Sequence, residues 1–130
     1  MIYGYRSPWM TEELDQLRVT ARRFFEQEVA PNAEKFRKQH FIDPEVWEKA
    51  GELGLLCMSV PEEYGGLGAS FAHEVIMMEE QARICDTPFG FIPGSLTSPG
   101  FFLGTATHEQ LLQWMPGIAA GKKMIAVAIT

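Results

Sequence analysis

The chain has 130 residues, 46% of them hydrophobic and 22% charged, which suits one globular core and excludes a disordered segment, since such segments are too poor in apolar residues to offset the entropy of ordering. The formal net charge is −6, and the lysines and arginines stand singly or in pairs such as Arg22-Arg23 and Lys122-Lys123. That leaves no basic stripe for a phosphate backbone and excludes nucleic acid as a partner.

The first predicted helix starts at Thr11, a cap followed by Glu12, Glu13 and Asp15 at the positive end of the helix dipole. Leu14, Leu17, Ala21, Phe24, Phe25 and Val29 form its apolar face, and Pro31 ends or kinks it. Asn32 to Gln39 reads as a further turn or two of exposed helix. In "FIDPEVWEKAGELG", Asp43 is the predicted cap, Pro44 the first helical residue, Val46, Trp47, Ala50 and Leu53 the buried stripe, and Gly54 the stop. "LGLLCMSVPEEYGGLGAS" reads as a short apolar run and a glycine loop. Ser70 should cap a helix from Phe71 to Cys85 whose apolar positions, Phe71, Val75, Met78, Ala82 and Cys85 with Ile76 and Met77 beside them, cover more than one face. Pro88, Pro93 and Pro99 interrupt the next stretch, giving short helical pieces or one distorted helix. Thr107 and Gln110 make a capping-box pattern for a short helix through Met115. Gly117 and Gly121 lead into "KKMIAVAIT", whose alternating Ile125, Val127 and Ile129 predict a β-strand.

The chemistry-bearing residues form no catalytic set. The glycine loop fits neither nucleotide fingerprint and reads as a structural turn rather than an anion cradle. His40, His73 and His108 are scattered, so no metal site is expected. Ser95, in "PGSLT", lacks the GxSxG elbow. Met77, Met78, Phe89, Phe91, Phe101 and Phe102 suit either core packing or an apolar ligand pocket. Cys57 and Cys85 read as free thiols: no CxxC spacing and no secretory signal accompany them. A cytoplasmic location is expected, or the mitochondrial matrix for a processed eukaryotic protein.

Three stretches, "RRFFEQEVAPNAE", "WEKAGELGLLCMSVPEEYGGLGAS" and "EQLLQWMPGIAAGKKMIAVAIT", resemble in order the N-terminal helical domain of the acyl-CoA dehydrogenase family. The resemblance implies an all-α bundle over residues 1–121, with 122–130 the first strand of a β-domain that the sequence does not contain. It implies a parent enzyme that dehydrogenates the Cα–Cβ bond of an acyl-CoA thioester. In such an enzyme a carboxylate takes the α-proton, the β-hydride passes to FAD, and electrons go on to an electron-transferring flavoprotein. A homo-oligomer is expected of the full-length enzyme. The family's catalytic glutamate usually lies in a C-terminal bundle, so no catalytic residue is expected here; Glu79 and Glu80 do not match it. The resemblance makes Val127, Ile129 and Thr130 flavin-contacting positions. It also makes the region from Thr87 to Leu96 an acyl-chain wall, with Phe91, Ile92 and Ser95 as candidates. The isolated fragment is expected to be inactive and not to retain FAD. A related flavin oxidase or monooxygenase, or a non-catalytic module binding an acyl group or a protein, is the alternative.

Overall fold

Phe24 and Phe25 are adjacent, so on one helix their side chains diverge by roughly 100°. Both are fully buried, which requires that helix to be covered on two flanks. A computed structural model, describing residues 5–85 and 89–128, shows how this is done. Helix α1 (Glu12–Phe24) runs into a π-turn (Phe25–Val29), a 3-10 turn (Ala30–Asn32) and then α2 (Ala33–Gln39). Thr11 caps α1 as predicted, its hydroxyl accepting the Leu14 N–H at 3.2 Å. The predicted kink at Pro31 is spread over both irregular turns, where the ladder rearranges around a residue that has no N–H to donate.

Helix α3 (Pro44–Glu52) begins and ends as predicted, with Gly54 at φ +68° beyond its last turn. Asp43 precedes it but gives no side-chain cap, because Lys35 and Gln39 of α2 hold its carboxylate instead. Trp47 of α3 stacks on Phe89 with centroids 4.2 Å apart, and Phe89 meets Phe24 and Phe25 edge-on at 5.3 and 5.7 Å. This aromatic cluster joins three segments at the centre of the core.

The glycine loop folds back on its own chain. The N–H groups of Leu67 and Ala69 donate to Met58 O at 3.3 and 2.8 Å, and that of Gly68 to Val60 O at 2.8 Å. Its donors are therefore spent on structure. At Gly66 a Cβ would lie 2.0 Å from Val60 O, so the turn closes only around glycine.

Helix α4 (Phe71–Arg83) packs along α1, and here the predicted apolar positions hold only in part, at Ile76 and Met77. Phe71 is 61% exposed, while the buried positions are Glu74, Ile76, Met77, Glu80 and Gln81. Two carboxylates can face inward because each has partners there: arginines for Glu80 and the Ser59 N–H for Glu74. Ser70 gives no side-chain cap, its hydroxyl meeting His73 instead. The helix ends at Arg83 rather than Cys85, and Thr87 and Pro88 lie outside the described residues.

Between Phe91 and Thr105 the chain forms one distorted helical run, a π-turn (Ile92–Thr97) continuing into α5 (Ser98–Thr105). Helix α6 (His108–Ala119) opens on a complete capping box, Gln110 N–H to Thr107 Oγ1 at 3.3 Å and Thr107 N–H to Gln110 Oε1 at 2.9 Å. It is longer than predicted and includes Pro116 and Gly117; Gly121, at φ +70°, follows its end.

The predicted strand over 122–130 is not a strand here. Lys122 and Lys123 belong to the turn that closes α6, residues 124–128 have no regular structure, and Ile129 and Thr130 lie outside the described residues. A strand exists only with a ladder partner, and among the described residues none is supplied. Every regular element among them is helical, so the domain is all-α. No helix among them is long and apolar enough to cross a membrane.

Candidate functional site

An apolar cleft lies between α4 and the turn after Phe91. It measures about 340 Å³ and is lined by Met78, Gln81, Ala82, Gly90, Phe91, Ile92 and Pro93. Met78 and Ala82 fall four apart on α4, which puts them on one face. The opposite wall comes from the proline-interrupted segment, which the π-turn widens. Phe91 is fully buried at the floor, and Ile92, 46% exposed, stands at the rim. The arrangement offers a flexible apolar chain a greasy wall with one amide, Gln81, at its edge.

Ser95 is not at that cleft. It is buried, and its Oγ accepts the Cys57 N–H at 2.7 Å. Cys57 has φ +52°, so the serine satisfies a donor displaced by a left-handed residue. Burial first, and the nearby Glu74 carboxylate second, push the Cys57 thiol up to about 12, against a smaller opposing effect of Ser95. It stays protonated and inert at neutral pH.

Two buried carboxylates on α4 have opposite fates. Glu74 Oε1 accepts the Ser59 N–H at 2.9 Å while Oε2 has no partner. Burial raises its pKa, and the bonds from Ser59 together with His73 only partly counter this. Glu80 is equally buried, and burial alone would raise it too. Hydrogen bonds and charge from Arg22, a bond from Arg18 and the charge of Arg83 outweigh that, and its pKa falls. Neither carboxylate lines the apolar cleft.

Of the flavin-contacting candidates, Val127 is 42% exposed, and Ile129 and Thr130 lie outside the described residues. Residues 124–128 present an open edge of backbone: among the described residues no other segment covers that edge with backbone hydrogen bonds. The structure thus brings Phe91 and Ile92 together at one cleft, and Ser95 and Val127 are separate from it. Sequence reading covered Pro93 only within the Thr87–Leu96 region and missed Gln81 and Ala82 as lining residues. The four-residue spacing of Met78 and Ala82 was a usable signal; the facing of α4 toward Pro93 had none. Among the described residues, no group of three or more His, Cys, Asp or Glu side chains is placed to hold a metal ion.

The profile of the family described as "Acyl-CoA dehydrogenase, N-terminal domain" matches residues 11–122. The long-chain specific acyl-CoA dehydrogenase of Rattus norvegicus mitochondria is 36% identical over 120 residues, which cover 92% of this chain and 28% of the rat protein. An acyl-CoA dehydrogenase of Bacillus anthracis, solved in complex with FAD, superposes with a TM-score of 0.82 at 27% identity, over 93% of this chain and 21% of that one. A chain in the structure of the electron transferring flavoprotein of Acidaminococcus fermentans gives 0.77 at 27% identity, over 92% and 32%. The chain thus spans 28% of the length of its rat relative. A helical domain of this build, matched by that profile over nearly all its length, belongs to the acyl-CoA dehydrogenase family as its N-terminal domain.

Proposed function

We propose that these residues serve as the N-terminal domain of an FAD-dependent acyl-CoA dehydrogenase, which removes two hydrogens from the Cα–Cβ bond of an acyl-CoA thioester and passes electrons to an electron-transferring flavoprotein. The observation that carries this reading is the apolar cleft between α4 and the turn after Phe91, in a chain of this family. Flavin, when bound, supplies the hydride acceptor. The domain's own share is binding and exclusion. Phe91, Ile92, Met78 and Pro93 bury acyl methylenes, each worth about 0.8 kcal/mol when taken from water, and keep water from the acyl chain. Ser95 supports this wall from behind by tying the turn to Cys57. Val127, Ile129 and Thr130 form an edge along which the flavin lies, residues 122–130 being the start of a β-domain. The domain itself contributes no catalytic base and is inactive without flavin. The enzyme acts as a homo-oligomer, in the mitochondrial matrix if its source is eukaryotic.

The test is to express the whole open reading frame that carries these residues and assay acyl-CoA-dependent reduction of an electron-accepting dye. Reduction with some acyl-CoA, and a shift toward shorter acyl chains in Ile92→Trp, is the expected result. No reduction with acyl-CoAs from short to long overturns the reading.

A further inference from the structure

Three contacts converge where the chain leaves α6. The Gly117 carbonyl accepts the N–H groups of both Lys122 and Lys123, at 2.9 and 3.0 Å, and the Gly121 N–H donates to Ile118 O at 3.0 Å. These bonds satisfy the last carbonyls of the helix in the Schellman manner. The Lys123 side chain then doubles back over the helix. Its Cδ, Cγ and Cε lie 2.9, 3.1 and 3.2 Å from where a Cβ on Gly117 would be. Its Nζ sits 4.4 Å from the centre of the Trp114 ring. Trp114 and Gly117 are three residues apart, so they share one face of α6. On the other side of the turn, a Cβ on Gly121 would lie 2.0 Å from Trp47 O, so α3 holds the backbone there.

Closing a helix needs only the backbone bonds. The lysine side chain adds nothing to the satisfaction of carbonyls; it lays its stem on Gly117 and its cation over Trp114 while the residue as a whole stays exposed. What it does fix is the backbone at Lys123, and hence the heading of the residues that follow. Of those, Ile125 is partly buried against the core, while Met124 and Val127 are exposed.

We infer that Trp114, Gly117 and Lys123 form a clasp that fixes the direction in which residues 124–128 leave the helical domain. They are positioning residues for the flavin-facing edge. That last clause rests on the proposed function; the clasp itself does not. Lysine supplies the cation and the apolar stem, tryptophan the ring face that attracts the cation, and glycine the seat for the stem.

Backbone ¹⁵N relaxation of this chain tests the clasp in Lys123→Met, Lys123→Arg and Gly117→Ala. Methionine keeps an apolar stem and loses the cation, arginine keeps the cation, and alanine occupies the stem's seat while improving helix propensity. Order parameters over 123–126 should fall from the rigid range of about 0.85 to below about 0.6 in the Met and Ala variants. They should recover in the Arg variant, with no drop in thermal midpoint for Gly117→Ala. Order parameters unchanged in Lys123→Met and Gly117→Ala, or lost equally in Lys123→Arg, overturn the clasp. The measurement involves neither flavin nor thioester, so that failure leaves the proposed function standing, and loss of the function leaves the clasp standing.

Discussion

Glu80 accepts Arg22 Nε and Nη2 at 2.9 and 3.0 Å and Arg18 Nη1 at 3.1 Å, and Arg83 Nε lies 3.2 Å away. Glu80→Gln leaves three guanidinium groups around a neutral amide, and we expect it to cost about 3 kcal/mol at neutral pH. Because the folded pKa is lowered, the stabilisation is present above the ordinary carboxylate range and lost as pH falls through the folded value. Denaturant titrations of both proteins should therefore converge in acid; a gap independent of pH contradicts the ion-pair account. Glu74 has the opposite sign. With its folded pKa raised by burial, its contribution is full below the ordinary carboxylate range and is lost as pH rises through the folded value. Relative to wild type, Glu74→Gln should gain stability as pH rises above the ordinary carboxylate range, and a difference that stays constant with pH would contradict the raised pKa.

At the scale of elements, α6 depends on its start and on the turn that closes it. Thr107→Ala removes one half of the capping box and should lower stability by about 1 kcal/mol, measured by thermal melting. Gly121→Ala meets both a positive φ and the Trp47 carbonyl, and should cost about 3 kcal/mol or more by lifting the turn off α3. Local signals of this kind were legible in the sequence. Thr107 with Gln110, Pro44 with Gly54, and Thr11 all read out bonds made within a few residues. That Glu80 would face inward on α4 was not legible, because the arginines that hold it lie 58 and 62 residues away. Nor were the π-turns, where the backbone adjusts to prolines by widening rather than breaking. At the cleft, Phe91 and Ile92 could be named beforehand, whereas the facing wall of α4 is set by how that helix rolls on α1.

For the whole molecule, family and helical class followed from three quoted stretches, and residues 124–128 form no strand among the described residues, where no ladder partner is supplied. Residues 124–128 keep the alternation of a strand without its ladder, directed by the turn after α6. On the proposed reading, the domain shapes one wall of an acyl-CoA site and leaves one edge of it open. The most direct check on that view is the visible spectrum of protein from the whole open reading frame, recorded anaerobically before and after addition of an acyl-CoA. A yellow protein whose flavin band bleaches is the predicted result. A colourless protein, or a flavin band that no acyl-CoA alters, would contradict it.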